Sequence, residues 1–299
     1  MMFTAKREDN TLHIYGIDNF SLYRSANCGQ AFRWRGESER NLTCVIGEEL
    51  VHASKTDHEL KIYPCRNDVQ EKLYISYFDL DRDYDEIEKR MSQNPVLKRC
   101  IPYAGGIRVF NQEPFETLIS FIISANNNIK RITGIIDRLC CKCGHRRESD
   151  DGEEYYTFPT AEAIAAMDIS ELRALGLGYR DEYIKRSSMA IADGFSLEDL
   201  RNVPYPEAKK RLCTLHGVGG KVADCVLLFS LGHGCAFPMD VWMKRAVADM
   251  FFDGRTPDKA EFSSLMNEFG EDAGRIQQYI FHYARETELK AERVGQNAQ

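Results

Sequence analysis

The order of apolar and polar positions divides the chain near residue 100. Before it, short β-rich runs at residues 12–17, 43–46, 50–54 and 60–63 are separated by polar or Gly-containing turns. An acidic stretch at 67–94 then turns helical. Beyond residue 100 the periodicity is helical, and it predicts helices at 114–125, 129–140, 161–167, 169–175, 181–193, 206–214, 241–252, 259–269 and 273–286. Residues 148–154 read as an acidic, mobile loop. No repeat or low-complexity linker interrupts the pattern. The expectation is an α+β protein: an antiparallel β domain over residues 1–100 packed on a mainly helical domain over 101–299.

One stretch departs from simple amphipathic alternation. Between the predicted helix at 206–214 and a run in which Val222, Val226 and Phe229 fall at i, i+4 and i+7 lies His216-Gly217-Val218-Gly219-Gly220-Lys221. A Gly-Val-Gly turn opening a helix leaves backbone N–H groups unbonded beside the positive end of the helix dipole, which suits a phosphate. Lys221 stands in the first turn, where an ammonium is disfavoured, and this favours the free amine that a nucleophile needs. Cys225, four residues on, shares its face. Asp240 follows Phe237-Pro238-Met239 and opens the next helix. The helix after Lys221 advances roughly 15 Å and the connector can span about 25 Å, so the carboxylate can return beside the amine. Taken singly, such a lysine is more often solvated and such an aspartate more often an N-cap.

Composition narrows the class. With 299 residues the chain is long enough for about two domains, and no apolar run approaches the length of a membrane helix. Its opening residues lack the apolar stretch of a secretory signal, and ten cysteines without one point to free thiols in a reducing, intracellular compartment. A net charge of −7 argues against a protein that coats nucleic acid indiscriminately. Charge is uneven, however. Residues 126–147 carry Lys130, Arg131, Arg138, Lys142, Arg146 and Arg147 against Asp137, and residues 204–247 carry six basic side chains against Glu207, Asp224 and Asp240. A local positive face on an acidic body is expected, with about half of these charges merely solvated.

Several spaced motifs, in order, resemble the 8-oxoguanine DNA glycosylases of the helix-hairpin-helix, Gly/Pro-Asp superfamily. They are Gly29-Gln30-Ala31-Phe32-Arg33-Trp34, the run from Gly106 through Pro114 to Asn126-Asn127-Asn128-Ile129-Lys130-Arg131, Gly176-Leu177-Gly178-Tyr179-Arg180, the hairpin with Lys221-Val222-Ala223-Asp224-Cys225, and a weaker match from Gly274 to Phe281. The resemblance implies a monomer acting on double-stranded DNA, with Lys221 as the nucleophile that forms a Schiff base and Asp240 stabilising charge on the sugar. It implies an extruded base stacked between Cys225 and Phe281 beside Pro238, Gln277 on its polar edge and the Gly29 carbonyl on N7–H. Asn126, Arg131 and Arg180 would meet the cytosine left behind, and Tyr179 would wedge into the stack. Gly217, Gly219 and Val222 would hold a phosphate. Carbonyls of Cys213, Leu215 and Val218 would bind a monovalent cation. Without the resemblance, Phe281 reads as a core aromatic and Gln277 as an exposed helix position. Vertebrate-type members carry histidine two residues after the aspartate; here that residue is Trp242.

Other signals point nowhere. Cys140 and Cys143 with His145 make half of a zinc site, and no second C-x-x-C exists to complete it, so zinc is not expected. An iron–sulfur cluster of the related endonucleases needs four cysteines after the aspartate, and the last cysteine is Cys235. His13, His52, His58, His216, His233 and His282 form no ligand set. No cofactor is required for the chemistry. Two other functions fit less of the sequence: a glycosylase for another lesion, such as an alkylated purine, and a non-catalytic hairpin DNA-binding protein, which would have no need of Lys221 followed by Asp240.

Overall fold

The computed structural model describes residues 3–297, with side chains through residue 288. Its N-terminal part is a five-stranded antiparallel sheet of β1 (Thr4–Glu8), β2 (Thr11–Tyr15), β3 (Leu42–Ile46), β4 (Glu49–Lys55) and β5 (Glu59–Tyr63), in the order β1-β2-β5-β4-β3. Alternation builds its inner face: Leu12 and Ile14, Leu60 and Ile62, Val51 and Ala53, and Leu42 and Cys44 are buried. Two elements were not expected. β1 is a polar edge strand whose side chains stay largely in water, and α1 (Leu22–Asn27) is a short helix capped by the Ser21 hydroxyl.

The helices follow in chain order: α2 (Asp68–Tyr77), α3 (Tyr84–Met91), α4 (Pro95–Lys98), α5 (Ile101–Ala104), α6 (Pro114–Ser124), α7 (Ile129–Cys143), α8 (Ala161–Ala166), α9 (Ile169–Leu172), α10 (Asp181–Ala192), α11 (Tyr205–Leu212), α12 (Gly220–Phe229), α13 (Val241–Phe251), α14 (Lys259–Phe269) and α15 (Ala273–Asn297). Three apolar cores organise them. One joins the sheet to α2 through Trp34, Tyr74, Phe78 and Phe110. A second gathers α6 to α12. The third unites α3–α5 with α13–α15, so helices from both sides of residue 100 share it.

The acidic loop expected to be mobile lies instead in a small hairpin, β6 (Arg146–Glu148) with β7 (Glu154–Tyr156). Asp150 at its tip accepts from Arg66 and from the Tyr63 hydroxyl, and Arg147 pairs with Glu48. These ties fasten it to the sheet. The helix expected at 169–175 is α9 followed by a wider turn, Arg173–Leu177, kinked at Gly176 (φ +90°). Among the described residues no helix is long and apolar enough to cross a membrane.

Two contacts fix the geometry that matters below. Phe121 of α6 stacks on Phe229 of α12 with centroids 5.4 Å apart. On the other side, α15 comes so close to α12 that a Cβ on Gly274 would run into Leu228 and the Ala236 carbonyl, while the Gly274 N–H donates to the Gly234 carbonyl at 2.7 Å. Gly274→Ala should therefore push α15 off α12 and lower stability by about 1–3 kcal/mol. Denaturant unfolding of the two proteins measures this; an unchanged midpoint would show that the helices are not so tightly apposed.

Candidate active site

The hairpin is built from α11, the turn at 213–219 and α12. Gly217 sits at φ +81° with its Cα against Tyr183, where a Cβ would lie 2.6 Å from the Tyr183 Cβ. Gly219 is the N-cap of α12 and has no side chain to bond the amides of the first turn. Nothing lies within 4 Å of where its Cβ would be. Unbonded donors at an open helix N-terminus are what an anion needs. Val222 is buried by its side chain, yet its amide belongs to the same turn. In the turn itself the Leu215 carbonyl accepts from the Val218 N–H at 3.2 Å, and the His216 carbonyl accepts from Ser187 at 2.7 Å.

An ionic cluster around the buried Asp224 clamps the two helices of the hairpin together, with Lys209 and Tyr205 half-buried. Lys209 of α11 donates to Asp224 of α12 at 2.8 Å and to the Tyr205 hydroxyl at 3.0 Å, and that hydroxyl donates to the other Asp224 oxygen at 2.8 Å. Burial pushes the Asp224 carboxyl above its ordinary range, and the hydrogen bond from Lys209 opposes the shift. Lys209 is therefore not a free charge for DNA, although it lies in the basic stretch.

Beyond the first turn of α12 a cavity of about 60 Å³ opens. It is lined by Lys221, Cys225 and Phe229 of α12, Phe121 of α6, Cys28 and Gly29 after α1, Pro238 and Asp240, and Gln277, Gln278 and Phe281 of α15. The two catalytic candidates and all five expected base-contacting residues thus meet in one place. Larger clefts exist, such as one of about 460 Å³ between α3 and α14, but the small cavity is the one that collects these residues.

Within the cavity Lys221 Nζ donates to Ser124 Oγ at 3.1 Å and lies 4.9 Å from the centre of the Phe121 ring. Asp240 is the N-cap of α13, accepting from the Met243 N–H at 2.8 Å. One oxygen caps the helix, and the residue also lines the cavity. It makes no ion pair with Lys221 within 4.0 Å among the described residues. Burial raises the Cys225 thiol to about 12, so it stays protonated and apolar in character. Gln277 is buried and its Nε2 donates to the Pro238 carbonyl at 3.3 Å. Its side chain does not face solvent, as a helix position read alone would suggest.

Sequence reasoning missed five lining or anchoring residues: Cys28, Gln278, Phe121, Phe229 and Ser124. Cys28 and Gln278 adjoin named residues, but Cys28 only caps the end of α1 and Gln278 points about 100° away from Gln277 along α15, so neither carries such a signal.

A second group forms around the end of α6. Asn126 adopts φ +49° just after that helix. Arg131, in the first turn of α7, donates to the Gly176 carbonyl at 3.3 Å. Tyr179 is 55 % exposed, whereas Arg180 is only 3 % exposed, its guanidinium spent on carbonyls of Ala125, Asn126 and Leu177 and stacked on Tyr179. Tyr179 meets Tyr183 edge-on at 5.8 Å, and Tyr183 meets His216 at 5.2 Å. Trp242, 45 % exposed, stands in the first turn of α13 beside Asp240. Among the described residues no three His, Cys, Asp or Glu side chains cluster as a metal would need.

The chain is similar to known proteins over most of its length. The family described as "8-oxoguanine DNA glycosylase, N-terminal domain" matches residues 14–118, and "HhH-GPD superfamily base excision DNA repair protein" matches residues 119–271. The N-glycosylase/DNA lyase of Saccharomyces cerevisiae is 33 % identical over 244 residues, which span 73 % of this chain and 64 % of the yeast protein. The N-glycosylase/DNA lyase OGG1 of Arabidopsis thaliana is 30 % identical over 271 residues, 85 % of this chain and 74 % of the plant protein. Among solved structures, the Clostridium acetobutylicum 8-oxoguanine glycosylase/lyase, in complex with double-stranded DNA containing cytosine opposite 8-oxoguanine, superposes with a TM-score of 0.90 at 34 % identity. That match covers 96 % of this chain and all of the clostridial one.

The clamp on the hairpin gives a pH-dependent expectation. Lys209→Met leaves the Asp224 carboxylate buried with only Tyr205, which should destabilise the protein by about 3 kcal/mol near neutral pH. Asp224 already has a folded-state pKa above its unfolded value, and losing Lys209 raises it further. The penalty is therefore full above that pKa and relieved as pH falls through it. Unfolding midpoints of wild type and variant should converge on acidification; a gap that stays constant with pH would show that Asp224 is not the source.

Proposed function

The chain belongs to the HhH-GPD superfamily of base-excision DNA repair proteins, in its 8-oxoguanine DNA glycosylase branch, and from that membership we propose that it extrudes 8-oxoguanine from duplex DNA, excises it and nicks the abasic strand. The observation that carries this reading is the convergence of Lys221 and Asp240 on one cavity at the open end of the hairpin.

The hairpin amides around Gly217, Gly219 and Val222 would grip a phosphate of the damaged strand, with carbonyls of Cys213, Leu215 and Val218 tied to a monovalent cation. A base inside the stack cannot be attacked at its sugar, so the nucleotide rotates out. The base would slide between Cys225 and Phe281, with the Gly29 carbonyl on N7–H and Gln277 on its polar edge. The neutral Lys221 amine then bonds to C1′ as the glycosidic bond breaks, and the departing base takes the electron pair and a proton. Asp240 stabilises the positive charge that builds on the sugar. Opening of the sugar ring gives the Schiff base. Loss of a C2′ proton then expels the 3′ phosphate by β-elimination, and hydrolysis frees the lysine. Ser124 and the Phe121 face hold the amine in place before attack.

Asn126, Arg131 and Arg180 would occupy the gap and meet the orphaned cytosine, with Tyr179 wedged into the stack. Arg180 would exchange its carbonyl partners for cytosine O2 and N3, acceptors that match a planar fork of donors. On this reading the protein acts inside the cell, where the DNA is, and as a monomer.

Borohydride trapping on a duplex with one 8-oxoguanine opposite cytosine tests the mechanism. Wild type should give a covalent adduct. Lys221→Gln should give none and should lose base excision by roughly three orders of magnitude or more. Base release without an adduct would remove the lyase step, and absence of both in wild type would send the enzyme to another lesion. Single-turnover excision should be about tenfold faster opposite cytosine than opposite adenine; equal rates would withdraw Arg131 and Arg180 from reading the opposite base.

A further inference from the structure

Five side-chain and backbone groups at the cavity wall form one hydrogen-bond chain. Cys28 Sγ lies 3.3 Å from both the Ser25 carbonyl and Gln278 Oε1. Gln278 Nε2 donates to Gln277 Oε1 at 2.7 Å. Gln277 Nε2 donates to the Pro238 carbonyl at 3.3 Å. Cys28, Gln277 and Gln278 are all buried, so water does not compete for these bonds. Burial also raises the Cys28 thiol to about 12, which keeps its proton available for donation.

The chain has a direction. A carbonyl oxygen only accepts, so Pro238 requires the amino end of Gln277. The oxygen end then requires a donor, which Gln278 supplies, and the Gln278 oxygen receives the thiol. Turning the Gln277 amide over would set its oxygen against the Pro238 carbonyl and its amino group against that of Gln278. Both pairings are repulsive, and both are buried.

We infer that Gln278 locks the Gln277 amide in one polarity and so makes the cavity select a guanine-type edge over an adenine-type edge. After its two holding bonds, Gln277 keeps one lone pair on Oε1 and one hydrogen on Nε2. An acceptor beside a donor matches guanine, which presents N1–H next to O6. Adenine presents the opposite order, N1 as acceptor beside the N6 amino group, and would be met correctly only by the reversed amide. The 2.7 Å bond from Gln278 is the shorter of the two restraints, and the 3.3 Å bond to Pro238 lies beyond the usual distance. Gln278 is thus a positioning residue that acts through Gln277. The inference rests on the base-pocket reading proposed above.

The test is single-turnover excision from duplexes containing 8-oxoguanine opposite cytosine or 8-oxoadenine opposite thymine. It compares wild type, Gln278→Leu, Gln278→Glu and Gln277→Leu. The ratio of the two rates within one preparation does not depend on the fraction of folded enzyme. Gln278→Leu removes the shorter of the two restraints, leaves the amide held only by the 3.3 Å bond to Pro238, and should reduce the preference for 8-oxoguanine about tenfold. Gln278→Glu places acceptors alone against Gln277, favours the reversed amide, and should reduce the preference further. If both rates fall in parallel in the Gln278 variants while Gln277→Leu abolishes the preference, the base-pocket reading stands and the polarity lock is overturned. If Gln277→Leu also leaves the preference intact, the base-pocket reading fails with it.

Discussion

Helix α12 is buried along nearly its whole length, from Val222 to Phe229, and only its first turn is open. That asymmetry governs the molecule. The closed part is held by a stacked aromatic pair on α6, an ionic clamp on α11 and a glycine-tight contact with α15. A helix gripped on three sides cannot rotate or slide, so the amine at its second position is aimed by packing and needs no bond to the backbone. The open end, meanwhile, leaves donors facing outward. The Lys221 amine and the unbonded amides belong to one turn of one rigid helix, and their spacing is set once, by that turn.

The cavity extends the same logic to the other elements. Asp240 is placed by capping α13, since a side chain committed through one oxygen to a helix N-terminus leaves the carboxylate little freedom. Gln277 and Phe281, four residues apart on α15, reach the cavity because Gly274 lets that helix settle against α12. The charge distribution is less simple than the sequence suggests. Lys142, Arg146 and Arg147 pair with Glu171, Glu154 and Glu48, Arg138 bonds the Leu175 carbonyl, and Lys209 serves the clamp. The positive potential available to a nucleic acid comes from fewer residues, among them Lys210, Arg211 and Lys244, which have no ion-pair partner among the described residues.

What could be read from the chain, and what could not, follows from the range of the forces involved. Helices such as α6, α12 and α14 bury a face at 3.6-residue spacing, and a local pattern reports that directly. That Lys221 and Asp240 could line one cavity was legible from the length of the connector between α12 and α13, which is enough to bring the carboxylate back. β1 was not legible: an edge strand wetted on both faces has no alternation to betray it. The hairpin of β6 and β7 is three residues a side, and its order depends on Glu48, Tyr63 and Arg66, far away in sequence. Gln278 was hidden by the rule that helix neighbours face apart, which fails where a helix is enclosed on more than one side. Arg180 showed its identity but not its employment, since only the folded turn reveals which carbonyls claim it.

The ring contacts from Tyr179 through Tyr183 to His216 join two parts that chemistry treats separately. Tyr179 stands out from the surface, while Tyr183 fills the space that Gly217 leaves in the hairpin turn. Tyr179 thus reaches the hairpin turn through two ring contacts, a path that bypasses the roughly 37 residues of backbone between Tyr179 and His216.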